Sequence, residues 1–105
     1  MALVARHYVV PCPGEPKADL ALLKRIEAAL APFIGRANFG VEAMIFRNVS
    51  EIEGEGLDPE ILSAGGDLVV PLIWVNVTFD PEWLAAETFG SVEREFNLRL
   101  VDEIG

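Results

Sequence analysis

From Leu68 to Phe79 the chain reads LVVPLIWVNVTF, apolar on both alternate sets of side chains. Leu68, Val70, Leu72, Trp74, Asn76 and Thr78 fall on one side. Val69, Pro71, Ile73, Val75, Val77 and Phe79 fall on the other. A strand apolar on both faces belongs in the centre of its sheet, covered on each side. Ala2 to Val10 predicts a first strand, setting Leu3, Ala5, His7 and Val9 against Val4, Arg6, Tyr8 and Val10. The turn Pro11-Cys12-Pro13-Gly14-Glu15-Pro16 ends it, because proline brings no ladder donor and glycine eases the reversal.

Between these strands the period changes. Leu22, Leu23, Ile26, Ala29, Leu30 and Phe33 recur at three- and four-residue steps, which predicts a helix from about Lys17 to Phe33. Pro32 closes its last turn and Gly35 breaks it. A second strand follows over Asn38 to Asn48. There Phe39, Val41, Ala43 and Ile45 alternate with the mixed set Gly40, Glu42, Met44 and Phe46, as an edge position allows. Val49 to Asp67 is an acidic, glycine-bearing stretch without a base, in which Asp58-Pro59-Glu60 starts a short helix through Ile61 and Leu62.

Asp80-Pro81-Glu82 repeats that start and leads a second long helix through Glu87, with Trp83 as its packing anchor on the sheet. Beyond Gly90, Phe96, Leu98 and Leu100 alternate as a strand, while Phe89, Val92, Phe96 and Leu100 also fit a helical face. The strand is preferred, since Leu98 falls off the helical stripe and Gly90 interrupts it. The order β-α-β-β-α-β predicts one α+β domain over residues 1–105. Its natural closure is a ferredoxin-like sandwich, a four-stranded antiparallel sheet with helices on one face. The other face would be open and still greasy. A chain of 105 residues has little to cover it with, so a homodimer through the sheet is expected.

The segment LVARHYVVPCPG, followed by a helix and the Phe39 strand, resembles the opening of the small dimeric α+β-barrel proteins. Cofactor-independent monooxygenases and ligand-binding or degradative relatives belong to that group. The likeness is one of layout over the first half of the chain, without a diagnostic motif. The acidic stretch before the third strand is longer than the layout calls for.

Seventeen acidic against eight basic residues give a net charge of −9. Such a surface repels phosphate backbones and anionic membranes, so neither nucleic acid nor membrane is an expected partner; a basic protein is compatible. The apolar run is too short for a membrane helix, and the N-terminus lacks the pattern of a signal peptide, so the cytoplasm is the expected compartment. With that route, the sequons Asn48-Val49-Ser50 and Asn76-Val77-Thr78 are chance matches. Cys12, the single cysteine, allows no internal disulfide and reads as a loop thiol.

Chemistry concentrates on a few residues. His7 is the single histidine and the one obvious general base for neutral pH; its bland alternative is a hydrogen-bonded core residue. Asn76 is the one strongly polar side chain of the third strand. In register with His7 or Arg6 it would make a polar spot in apolar walls, the anatomy of a small-molecule pocket. Trp74 would supply an aromatic wall, with Arg6 or Tyr8 as further ligand contacts. The alternative is a buried amide satisfied by its neighbours. Glu51, Glu53, Glu55 and Gly56 imitate the start of a calcium loop, but Leu62 stands where the twelfth-position acid is needed, so no metal and no cofactor are expected.

Two functions fit. One is a dimeric cofactor-free protein that binds or transforms a small apolar or aromatic compound between sheet and helices. The other is a non-enzymatic acidic interaction module, such as an inhibitor, immunity-type protein or assembly subunit.

Overall fold

The computed structural model describes residues 3–33, 39–80 and 86–104. Four strands form one antiparallel sheet: β1 (Val4–Pro11), β2 (Phe39–Phe46), β3 (Leu72–Phe79) and β4 (Arg99–Ile104). Their order is β2-β3-β1-β4, which makes an α+β fold with β3 and β1 inside. The two-sided apolar pattern of β3 is met directly: Leu72, Ile73, Trp74 and Val75 are buried one after another, without alternation. The strand is shorter than its apolar run. Leu68 and Val70 precede it and pack beside the sheet, while Val69 stays exposed.

Helix α1 (Pro16–Leu30) begins at a proline, whose fixed φ suits a first turn, and runs into a 3-10 turn at Ala31–Phe33 that accommodates Pro32. Its Ile26 and Leu30, with Phe33, pack against Tyr8, Val10, Ile73, Val75 and Val77. Phe89, Val92 and Phe96 of α4 (Ala86–Phe96) complete that core. The expected helix over Asp80–Glu87, its anchor Trp83 and the break at Gly35 involve positions outside the described residues. The strand preferred from Gly90 onward is corrected: the helix continues through Gly90 to Phe96 and the strand starts at Arg99. The switch lies at Asn97, which takes φ +56°, while Leu98 N–H donates back to the Glu93 carbonyl at 2.9 Å.

The acidic stretch folds into two short helices, α2 (Val49–Gly54) and α3 (Pro59–Ser63). Asn48 caps the first by accepting from Glu51 N–H at 3.0 Å, and Asp58 caps the second by accepting from Glu60 N–H at 2.9 Å. Together they lay Ile52 and Leu62 on the sheet face opposite the long helices, against a cluster with Val9, Phe46, Leu72 and Trp74. The expectation of helices on one face is therefore corrected. The two long helices share one face, and the two short ones cover part of the other. Burying Ile52 and Leu62 contributes about 1.5–3 kcal/mol each, enough to hold helices too short to stand alone. The premise that this chain cannot cover both faces fails over that half of the sheet.

Candidate functional site

Strand pairing sets Glu42 of β2, Asn76 of β3, His7 of β1 and Asp102 of β4 side by side in one row across the sheet. The row lies on the face that α2 and α3 partly cover, one pairing step from Val9 and Trp74. A register shift between His7 and Tyr8 in the β1–β4 pairing leaves Val101 without its own partner there, and Val101 packs beside the covered cluster.

His7 is held by its neighbour. Trp74 Nε1–H donates to His7 Nδ1 at 3.0 Å, and the two rings stack with centroids 5.7 Å apart and 24° between planes. An indole nitrogen only donates, so Nδ1 carries the lone pair and the neutral imidazole keeps its proton on Nε2. Trp74 leans in turn on Phe46, centroid to centroid 5.9 Å. Beside His7, the Asn76 Oδ1 atom is buried, and no group among the described residues donates to it. A buried acceptor left open is uncommon and calls for an explanation.

His7 also forms a wall of a hollow of about 230 Å³, whose other walls include Leu57, Ile61 and Leu62 from the α2–α3 region and Asp102 and Ile104 from β4. Asn76 and Trp74 flank His7 on the sheet but do not line this space. Leu62 separates it from a larger hollow of about 420 Å³ toward the end of the sheet, floored by Val9, Leu72 and Leu98.

Arg6 and Tyr8, the other sequence-derived ligand candidates, project to the opposite face. Tyr8 is 1% exposed, and its hydroxyl donates to Glu93 Oε1 at 2.6 Å. Burial, then this bond to a carboxylate, pushes its phenol well above the ordinary range. The Arg6 guanidinium donates to Glu103 and lies 5.0 Å from the Phe79 ring centre; the Glu103 bond is the main cause of its raised pKa. Of the five candidates, His7, Trp74 and Asn76 come together, and Arg6 and Tyr8 do not join them.

Asp19 is the polar residue that the sequence reading passed over. It is fully buried, accepting from Gly14 N–H at 2.8 Å and from Arg47 Nη1 at 3.1 Å. Gly14 has φ +102°, so Asp19 ties a turn that needs glycine to α1 and to the residue after β2. A signal was present: Asp19 stands three residues before Leu22 and seven before Ile26, within the apolar stripe. Nearby, burial first and the Asp19 carboxylate second raise the Cys12 thiol, against a smaller opposing effect of Arg47. A thiol held protonated is a poor nucleophile.

Glu51 and Glu53 lie within the helical turns of α2 rather than in an open ligand loop. Among the described residues, no group of three His, Cys, Asp or Glu side chains converges as a metal site, and no helix is long and apolar enough to cross a membrane. No protein-family model matches the chain, and neither a curated protein nor a solved structure does.

Proposed function

We propose that the protein binds a small, largely apolar molecule in the space that α3 and the turn before it enclose over the sheet, with His7 as the hydrogen-bond donor. The observation that carries this reading is the hollow walled by Leu57, Ile61, Leu62 and Ile104 together with His7, Asp58 and Asp102. Apolar walls with a few polar groups are the ordinary makeup of a ligand site. Because Trp74 occupies the Nδ1 lone pair, His7 meets a ligand as an Nε2–H donor rather than as a ready base. That favours binding over catalysis. The Asn76 acceptor beside His7 is buried and does not line this space, so it takes no part in the contact proposed here.

The strand order β2-β3-β1-β4, with α1 and α4 in one core, supports a ferredoxin-like frame to which α2 and α3 have been added. The alternative, an acidic module for a basic protein, rests on the net charge of −9. It is weakened because Glu51 and Asp58 of the acidic stretch accept backbone N–H bonds and Ile52 and Leu62 hold it to the sheet. Homodimerisation is proposed through exposed apolar residues such as Leu3, Ile61 and Ile104, and light scattering showing a monomer at micromolar concentration would end that proposal.

A screen of small aliphatic and aromatic compounds by proton–nitrogen correlation spectra tests the binding site. A binder should move the Gly56, Leu57 and Asp102 amides and the imidazole of His7, which is unambiguous as the single histidine. Substituting His7→Leu should abolish those shifts. Retention of binding by that variant would remove the site assignment.

A further inference from the structure

The larger hollow carries a charge pattern that the His7 hollow lacks. Its floor is apolar, formed by Val9, Leu62, Leu72 and Leu98, and its charged lining residues are Asp67, from the loop after α3, and Arg99, from the start of β4. Arg99 pairs in register with Val9, which places it on the face that α3 covers. The two charges do not satisfy each other. The ion pairs between described residues are Arg6–Glu103 and Arg47–Asp19, so Asp67 and Arg99 stand more than 4.0 Å apart. No other protein group bonds either side chain among the described residues.

One open carboxylate and one open guanidinium beside an apolar floor are complementary to a small molecule that carries both charges at one end of an apolar body. We infer that the hollow of about 420 Å³ is a site for a zwitterion of this kind, an apolar α-amino acid. Arg99 takes the carboxylate through its planar fork, Asp67 takes the ammonium group, and the apolar side chain rests over Leu62 and Leu72. The inference rests on reading the space under α3 as a small-molecule site, and it adds which part of that space is used and by what chemistry. A simple fatty acid or amine leaves one of the two protein charges unmatched, which is the source of the discrimination.

The test titrates the intact chain with L-leucine to ~10 mM, a range in which a millimolar site fills, while following backbone amides. Shifts are expected at Asp67, Leu68 and Arg99. The same body without the ammonium group (4-methylpentanoate) or without the carboxylate (3-methylbutylamine) should bind at least about fivefold more weakly, as should Asp67→Asn and Arg99→Gln, with Arg99→Lys recovering part of the loss. Both residues are exposed, so the variants should melt as the parent does.

Equal binding of all three compounds overturns the inference. So does a double-variant cycle showing Asp67 and Arg99 coupled in ligand-free stability, which would make them an internal ion pair. Compounds that move Gly56, Leu57 and Asp102 while leucine leaves Asp67 and Arg99 silent overturn this inference alone and leave the His7 hollow standing. Silence of both sets toward every compound removes both readings.

Discussion

Truncating Leu62 to alanine probes the roof over the second sheet face, because its side chain is 3% exposed and divides the two hollows. The change removes three carbons, which at about 0.8 kcal/mol for each buried group is about 2.4 kcal/mol. A residual cavity of roughly 50 Å³ adds about 1 kcal/mol at ~24 cal/mol per Å³. Since α3 is a five-residue helix at the surface, it can settle inward and recover part of the cavity cost. The expected loss is therefore about 2–3 kcal/mol.

Ile61, its neighbour on the same helix, is 43% exposed, and Ile61→Ala should cost under about 1 kcal/mol. Urea unfolding followed by tryptophan fluorescence measures both. At a slope of about 1–1.5 kcal/mol per M, Leu62→Ala should lower the midpoint by about 2 M with the slope unchanged. Equal, small shifts for the two variants would refute the packing of α3 on the sheet.

Three further outcomes concern Tyr8, Cys12 and Asp19. Tyr8 is the single tyrosine, so absorbance at 295 nm reports its ionisation alone. Its folded pKa is raised, so the folded state holds the proton more tightly than the unfolded state; its contribution to stability is complete below about pH 10 and is lost as pH rises beyond. Tyrosinate should therefore appear only together with alkaline unfolding, and a separate titration near pH 10 in the folded protein would contradict the Glu93 bond. The Cys12 thiol should react with a disulfide reagent at pH 8 more slowly than free cysteine, and urea should abolish the difference; faster reaction when folded would exclude the shielding by burial and Asp19. Asp19→Ala should lose about 2–4 kcal/mol in thermal or urea unfolding, since it orphans Gly14 N–H and opens a buried site, whereas a loss below about 0.5 kcal/mol would mean that the turn is held by other contacts.

The parts of this fold that were legible in the sequence are those where burial imposes a period. The apolar run at Leu72 to Val75 identified a central strand because both of its faces are covered, whatever covers them. The α1 stripe was equally plain. The roof was not, because Ile52, Leu57 and Leu62 fall five residues apart, a spacing that matches neither helix nor strand. Each anchors a separate turn, with Gly56 at φ +79° and Pro59 between them, so the acidic composition gave no sign that the segment packs on the sheet.

The α4–β4 boundary failed for a related reason. Phe96 belongs to both the helical stripe and the alternating pattern, and the left-handed turn at Asn97 decides between them. For the site, His7, Trp74 and Asn76 could be picked out by type and by strand face. Their pairing depends on the β1–β3 register, which is fixed by distant parts of the chain.

Both hollows exist only if the segment between β2 and β3 lies against the sheet rather than in solvent. Nuclear Overhauser contacts from the Ile52 and Leu62 methyl groups test that arrangement directly. Cross-peaks to the Val9 and Leu72 methyls and to the Phe46 and Trp74 rings are the expected result, since all six belong to one buried cluster. If those methyls contact only residues of their own segment, the hollows beneath α3 have no roof and the binding sites proposed for them are contradicted.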